Sequence, residues 1–157
     1  MNAVERFTRH FMFVASLLIL APVASAASPT EMAVNVEVWN GTGEDLSLSG
    51  ASWLAPGTDL SPYVIPGDSE NASFFVTQGN PKKDSAAFRL RSDEKVCEFK
   101  LGHEARFQWM PVNPAPEKTA SAKSVGSVQV KCGASVIKGT DSLSAYTVRV
   151  VMQDITQ

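Results

Sequence analysis

Histidine, cysteine and clustered charge are all scarce in this chain of 157 residues. It has two histidines, His10 and His103, and two cysteines, Cys97 and Cys132. A zinc site draws on several Cys or His ligands at short spacing, and this chain cannot supply them. No Cys-x-x-Cys pair is present, so a dithiol redox centre has no foothold. No Asp-x-Asp-x-Asp-Gly series offers a calcium loop. The acidic pairs Asp68/Glu70 and Asp93/Glu94 are more simply turn-forming acids. No Gly-x-Ser-x-Gly elbow accompanies a serine nucleophile. The acidic residues make carboxylate pairs easy to imagine, but no spacing selects one for acid–base work. Beyond the N-terminus no long apolar run occurs, and no stretch carries a helical stripe.

What is present begins with a leader. Arg6 and Arg9 precede an apolar run from Phe11 to Val23, followed by Ala24-Ser25-Ala26. A basic region, a hydrophobic region and a small-residue cleavage site in that order form an export signal over residues 1–26. The alternative is a signal anchor left uncut. No cysteine sits at the cleavage point to carry a lipid anchor. The expected exported region, residues 27–157, is one domain in length. Without Arg6, Arg9 and Glu5 it keeps 14 − 2 = 12 basic and 16 − 1 = 15 acidic residues, a net charge of −3. That balance gives no footprint for nucleic acid and no polybasic grip on anionic lipid. The expected compartment is the periplasm or the exterior of a bacterium. In such an oxidising space Cys97 and Cys132 are expected to form one disulfide.

The exported region alternates in steps of two. Val34, Val36 and Val38 share one face of a strand, with Asn35 and Glu37 on the other. Asn40-Gly41-Thr42-Gly43 reads as a turn into Leu46 and Leu48, so the first two strands are expected to form a hairpin. Tyr63-Val64-Ile65 reads as a short edge strand. Ala72/Phe74/Val76, Ala86/Phe88/Leu90 and Cys97/Phe99/Leu101 each point one face inward, and Ser92 to Lys95 makes a tight connection. Gly102 reads as a break, after which Ala105, Phe107 and Trp109 resume the alternation. Met110 to Lys123 reads as a mobile tract. Val128/Val130/Cys132 and Tyr146/Val148/Val150/Met152 complete the pattern. The expected fold is an all-β, single-domain antiparallel sandwich of about seven or eight strands with one internal disulfide.

Three aromatic residues are candidate binding residues. Trp39 is out of phase with the valines of its strand, Trp53 lies in a loop-like segment, and Phe75 shares a face with Ser73 and Thr77. Aromatics in such places anchor a protein, sugar or lipid headgroup, or they cover sheet ends and pack beneath loops. His103 beside Glu104 reads as a surface histidine at a turn, or as the base of a hydrolase if a serine or carboxylate lies beside it.

Two segments, Val34 to Trp53 and Ile65 to Leu90, resemble the aegerolysin family. The first carries alternating valines, Asn40-Gly41-Thr42-Gly43, Leu46-Ser47-Leu48 and Ala51-Ser52-Trp53. The second carries Ile65-Pro66-Gly67-Asp68-Ser69 through Phe88-Arg89-Leu90. The resemblance implies a β-sandwich that binds membrane lipid and cooperates with a pore-forming partner, with Asn40 and Ser52-Trp53 carried over. The chain departs from that family in its export signal and in lacking a tryptophan-rich second half.

The function expected is that of an exported, non-catalytic binding module, without cofactor or metal, acting on a macromolecular partner in the cell envelope as an inhibitor or immunity factor. Lipid or glycan binding and a structural role in a surface fibre are the alternatives. An enzyme would show a cleft holding His103.

Overall fold

The computed structural model describes residues 30–105, 116–142 and 144–155. The leader, Phe107, Trp109 and residues 110–115 lie outside the described residues. The described residues form nine strands: β1 (Met32–Gly41), β2 (Leu46–Ser49), β3 (Val64–Ile65), β4 (Ala72–Gln78), β5 (Lys83–Ser92), β6 (Lys95–Glu104), β7 (Glu117–Ser124), β8 (Lys131–Lys138) and β9 (Ala145–Gln153). They make a four-stranded sheet ordered β4-β1-β9-β8 and a five-stranded sheet ordered β3-β2-β5-β6-β7. All pairings are antiparallel except β1 with β9, which run parallel. The expected all-β sandwich is borne out.

The step-of-two pattern explains the layering. Val34, Val36 and Val38 of β1 are fully buried, as are Phe88 and Leu90 of β5 and Cys97 and Phe99 of β6. Side chains of a strand alternate between faces, so one apolar row per strand turns into the space between the sheets. At the centre Phe88 stacks on Phe99 with ring centroids 5.2 Å apart, and it meets Phe74 edge-on at 5.4 Å. Burying a ring of that size fully contributes about 1.5–3 kcal/mol from removal of apolar area alone. The Cys97–Cys132 disulfide is present and ties β6 of one sheet to β8 of the other, with Cα atoms 5.8 Å apart.

Three expectations are corrected. β1 and β2 do not form a hairpin: β1 pairs with β4 and β9, and β2 pairs with β3 and β5. The Asn40 to Gly43 segment crosses between sheets, with no positive φ at any of its residues. Asn40 fixes the crossing. Its side-chain NH2 donates to Glu44 O at 2.8 Å and Pro66 O at 2.9 Å, and its Oδ1 accepts from Thr42 N and Thr42 Oγ1.

The tract from Met110 to Lys123 is not wholly irregular, because β7 starts at Glu117. The inward row of β7 includes Ala120 and Ala122, set opposite Leu101 and Phe99. Small side chains fill the space beside large ones, which is why no apolar signal marks this strand. The strand expected around Val128 begins only at Lys131. Val128 is 41% exposed and makes a single isolated bridge to Lys95.

Candidate functional site

The outer face of the four-stranded sheet brings two of the three aromatic candidates onto one surface. On β1 the residues out of phase with the buried valines are Ala33, Asn35, Glu37 and Trp39. The register sets Asn35 between Phe75 of β4 and Thr147 of β9. Phe75 is 73% exposed and Trp39 is 40% exposed. Four residues of extended strand, about 13 Å, separate Asn35 from Trp39. Between them Arg149 of β9 holds Glu37 at 3.0 Å, with Lys138 at 3.8 Å from the same carboxylate.

A shallow groove of about 170 Å³ runs beside Phe75, lined by Ala33, Asn35, Lys138, Ala145 and Thr147. Asn35 Oδ1 is buried there and has no hydrogen-bond partner among the described residues. A buried acceptor left unpaired costs roughly 1–3 kcal/mol. Trp39 forms a second shallow pocket with Glu70, Asn71 and Arg149.

Trp53 is elsewhere. It stacks on Phe74 at 6.1 Å and meets Phe88 edge-on at 5.6 Å, closing the core beneath the loop after β2. Its neighbour Ser52 is pinned to β5, since Ser52 Oγ accepts from Ala87 N at 2.9 Å. Asn40 is fully buried.

His103 is corrected from a surface turn to a buried position on a strand, at 3% exposure. Gly102 does not break β6, because β5 and β7 flank it on both sides. A Cβ there would stand 3.2 Å from Thr119 Oγ1 and 3.4 Å from Asp84 O, so glycine permits the close approach. His103 Nδ1 lies 2.8 Å from Gln78 Oε1, and Nε2 lies 2.7 Å from Asn80 O. Tyr146 Oη donates to the same Gln78 oxygen at 3.2 Å. Burial pushes the Tyr146 phenol up to about 12. Gln78 Nε2 is buried without a partner among the described residues.

An open groove of about 560 Å³ adjoins this cluster, lined in part by Asp84, Ser85, His103, Glu104 and Glu117. A serine and carboxylates therefore do lie near the histidine. Both imidazole nitrogens are engaged by oxygens within the fold. The polar cluster was not legible in the sequence: Gln78 and His103 are 25 residues apart, and Tyr146 is 68 residues from Gln78.

Among the described residues no group of three or more His, Cys, Asp or Glu is placed to hold a metal ion. Nor is any helix among them long and apolar enough to cross a membrane. No protein-family model matches the chain, and no curated protein matches it.

Proposed function

We propose that this chain is an exported, non-catalytic binding module that grips a macromolecular partner of the cell envelope through the outer face of its four-stranded sheet. The observation that carries the reading is Phe75, 73% exposed beside a groove that Ala33, Asn35 and Lys138 help to line. A solvent-facing ring next to a groove with polar and charged lining residues combines an apolar anchor with polar contacts, as a protein-binding hot spot does. The mixed charge of Glu37, Arg149 and Lys138 suits a protein surface better than an anionic lipid layer. The disulfide between the sheets supports an oxidising compartment, the periplasm or the exterior.

Aegerolysin-like lipid or glycan binding is the second reading, favoured by Trp39 and Phe75 lying on one face. The residues carried over from that family, Asn40 and Ser52-Trp53, are committed to the fold of this chain. A fibre subunit would need a core groove left open for a donor strand. Here the chain's own β1 occupies the sheet interior between β4 and β9.

The test is capture of a partner from envelope extract, with vesicle co-sedimentation in parallel. Capture lost in Phe75→Ser and kept in Lys100→Ala, an exposed change on the other sheet, supports the protein-binding reading. Sedimentation with vesicles that depends on Trp39 and Phe75, without protein capture, replaces it with the lipid reading.

A further inference from the structure

Each sheet ends in two edge strands, and three of the four edges are blunted against pairing with another chain. β3 is two residues long and lies between Pro62 and Pro66. β7 carries Lys118 and Lys123 along its length. β8 begins and ends in lysine and has a register irregularity between Val136 and Lys138. Lysine, proline, shortness and bulges are the devices by which natural sheets refuse edge-to-edge association. β4 has none of them: its seven residues, Ala72-Ser-Phe-Phe-Val-Thr-Gln78, include no charge, no proline and no glycine, and its pairing with β1 is regular.

The backbone direction of β4 follows from its neighbours. Ala33 N donates to Ser144 O, on the β9 side of β1, whereas Asn40 N donates to Ser69 O, on the β4 side. Odd residues of β1 therefore bond β9, and even residues bond β4. In the antiparallel register Val34, Val36 and Val38 face Val76, Phe74 and Ala72. These are the hydrogen-bonded pairs, so the N–H and C=O groups of Ser73, Phe75 and Thr77 point away from the sheet. Among the described residues nothing pairs with them.

We infer that β4 is a self-pairing edge through which two copies of this chain join their four-stranded sheets into one continuous sheet. The two-fold axis passes between Phe75 and its copy in the second chain. That register sets Ser73 opposite Thr77 and Phe74 opposite Val76. Each strand offers three outward N–H groups to three outward carbonyls of the other. The facing rows then match in kind: ring on ring and hydroxyl on hydroxyl outside, apolar on apolar inside.

The flanks match in charge as well. Asp68 and Glu70 precede β4 and Lys82 follows it, all exposed and without an ion pair among the described residues. Antiparallel pairing carries the acidic flank of one copy to the basic flank of the other, with Asp68 and Lys82 equidistant from Phe75. The strand is thus complementary to itself, which an isologous interface requires. This inference goes beyond the binding reading, and its consequence for that reading is geometric: both Phe75 rings would lie side by side on one doubled outer face.

The test uses the full chain with its disulfide formed, in sedimentation equilibrium at concentrations on the order of 100 μM, suited to a small interface. The expected species has twice the monomer mass. Ser73→Pro removes an outward N–H and no bond inside the monomer. It is expected to weaken association by about tenfold or more while leaving the circular dichroism spectrum and the exposed aromatics unchanged. Phe75→Cys is expected to give an interchain disulfide on mild oxidation, because paired residues of this kind have Cα atoms about 5.5 Å apart. Trp39→Cys is not expected to cross-link. A wild-type chain that stays monomeric, undiminished association in a folded Ser73→Pro, or equal cross-linking at Trp39→Cys and Phe75→Cys would overturn the inference. Should Ser73→Pro fail to fold, the pair of cysteine variants decides alone.

Discussion

His103 of β6 and Gln78 of β4 meet 2.8 Å apart, a polar contact that spans the two sheets beside an otherwise apolar core. The same ring reaches Asn80 O and so holds the loop that follows β4. His103→Ala would remove the ring from both Gln78 Oε1 and Asn80 O. The expected loss is about 1–3 kcal/mol of unfolding free energy, measured by denaturant titration at neutral pH. His103→Gln should recover part of it.

Tyr146 gives the chain an alkaline limit. Its phenol is pushed up to about 12 by burial in the fold, while an unfolded chain ionises near the ordinary value of 10. Below pH 10 the phenol is neutral in both states and contributes no pH dependence. Above that, the unfolded chain loses its proton first, so stability falls as pH rises from about 10 to 12. Thermal melts across that window should show a decline that Tyr146→Phe removes.

The disulfide closes a loop with a sequence separation of 35 between its two cysteines. On the chain-entropy account, a loop of that length contributes roughly 4 kcal/mol. Cys97→Ala is expected to lower the melting temperature markedly. The wild type under reductant should fall similarly, and an unchanged melt in reductant would contradict the bridge's structural role.

Two phenylalanines on strands of opposite sheets should behave oppositely. Phe88 is fully buried and touches Trp53, Phe74 and Phe99, so Phe88→Ala should cost about 3–5 kcal/mol. Phe75 is 73% exposed, so Phe75→Ala should change monomer stability by only about 0.5 kcal/mol. Denaturant titration separates the two. A large loss at Phe75 would mean that the ring serves the fold and not a partner.

The inward rows of β1, β5, β6 and β9 were legible because each strand has one buried and one wet face, and large apolar residues mark the buried one. Trp39 and Phe75 were legible as outward aromatics for the same reason, being out of phase with those rows. β7 was hidden because alanines suffice beside Phe99 and Leu101. The Asn40 segment misled because a short polar, glycine-bearing stretch suits a hairpin turn and a crossing between sheets equally well. Trp53 had no periodic neighbours, so nothing local said that it would close the core against Phe74 and Phe88.

By itself the sequence determined the class of fold, since a period of two over short segments can bury apolar side chains only between sheets. It also determined which two sulfur atoms could join. Only the tertiary structure decided which strands are neighbours, because pairing depends on contacts between segments far apart in the chain. From that came the burial of His103 against Gln78, the separation of Trp53 from Trp39 and Phe75, and the position of β4 at an edge that nothing among the described residues pairs with. An edge is a property of the whole sheet and has no signature in the strand's own residues.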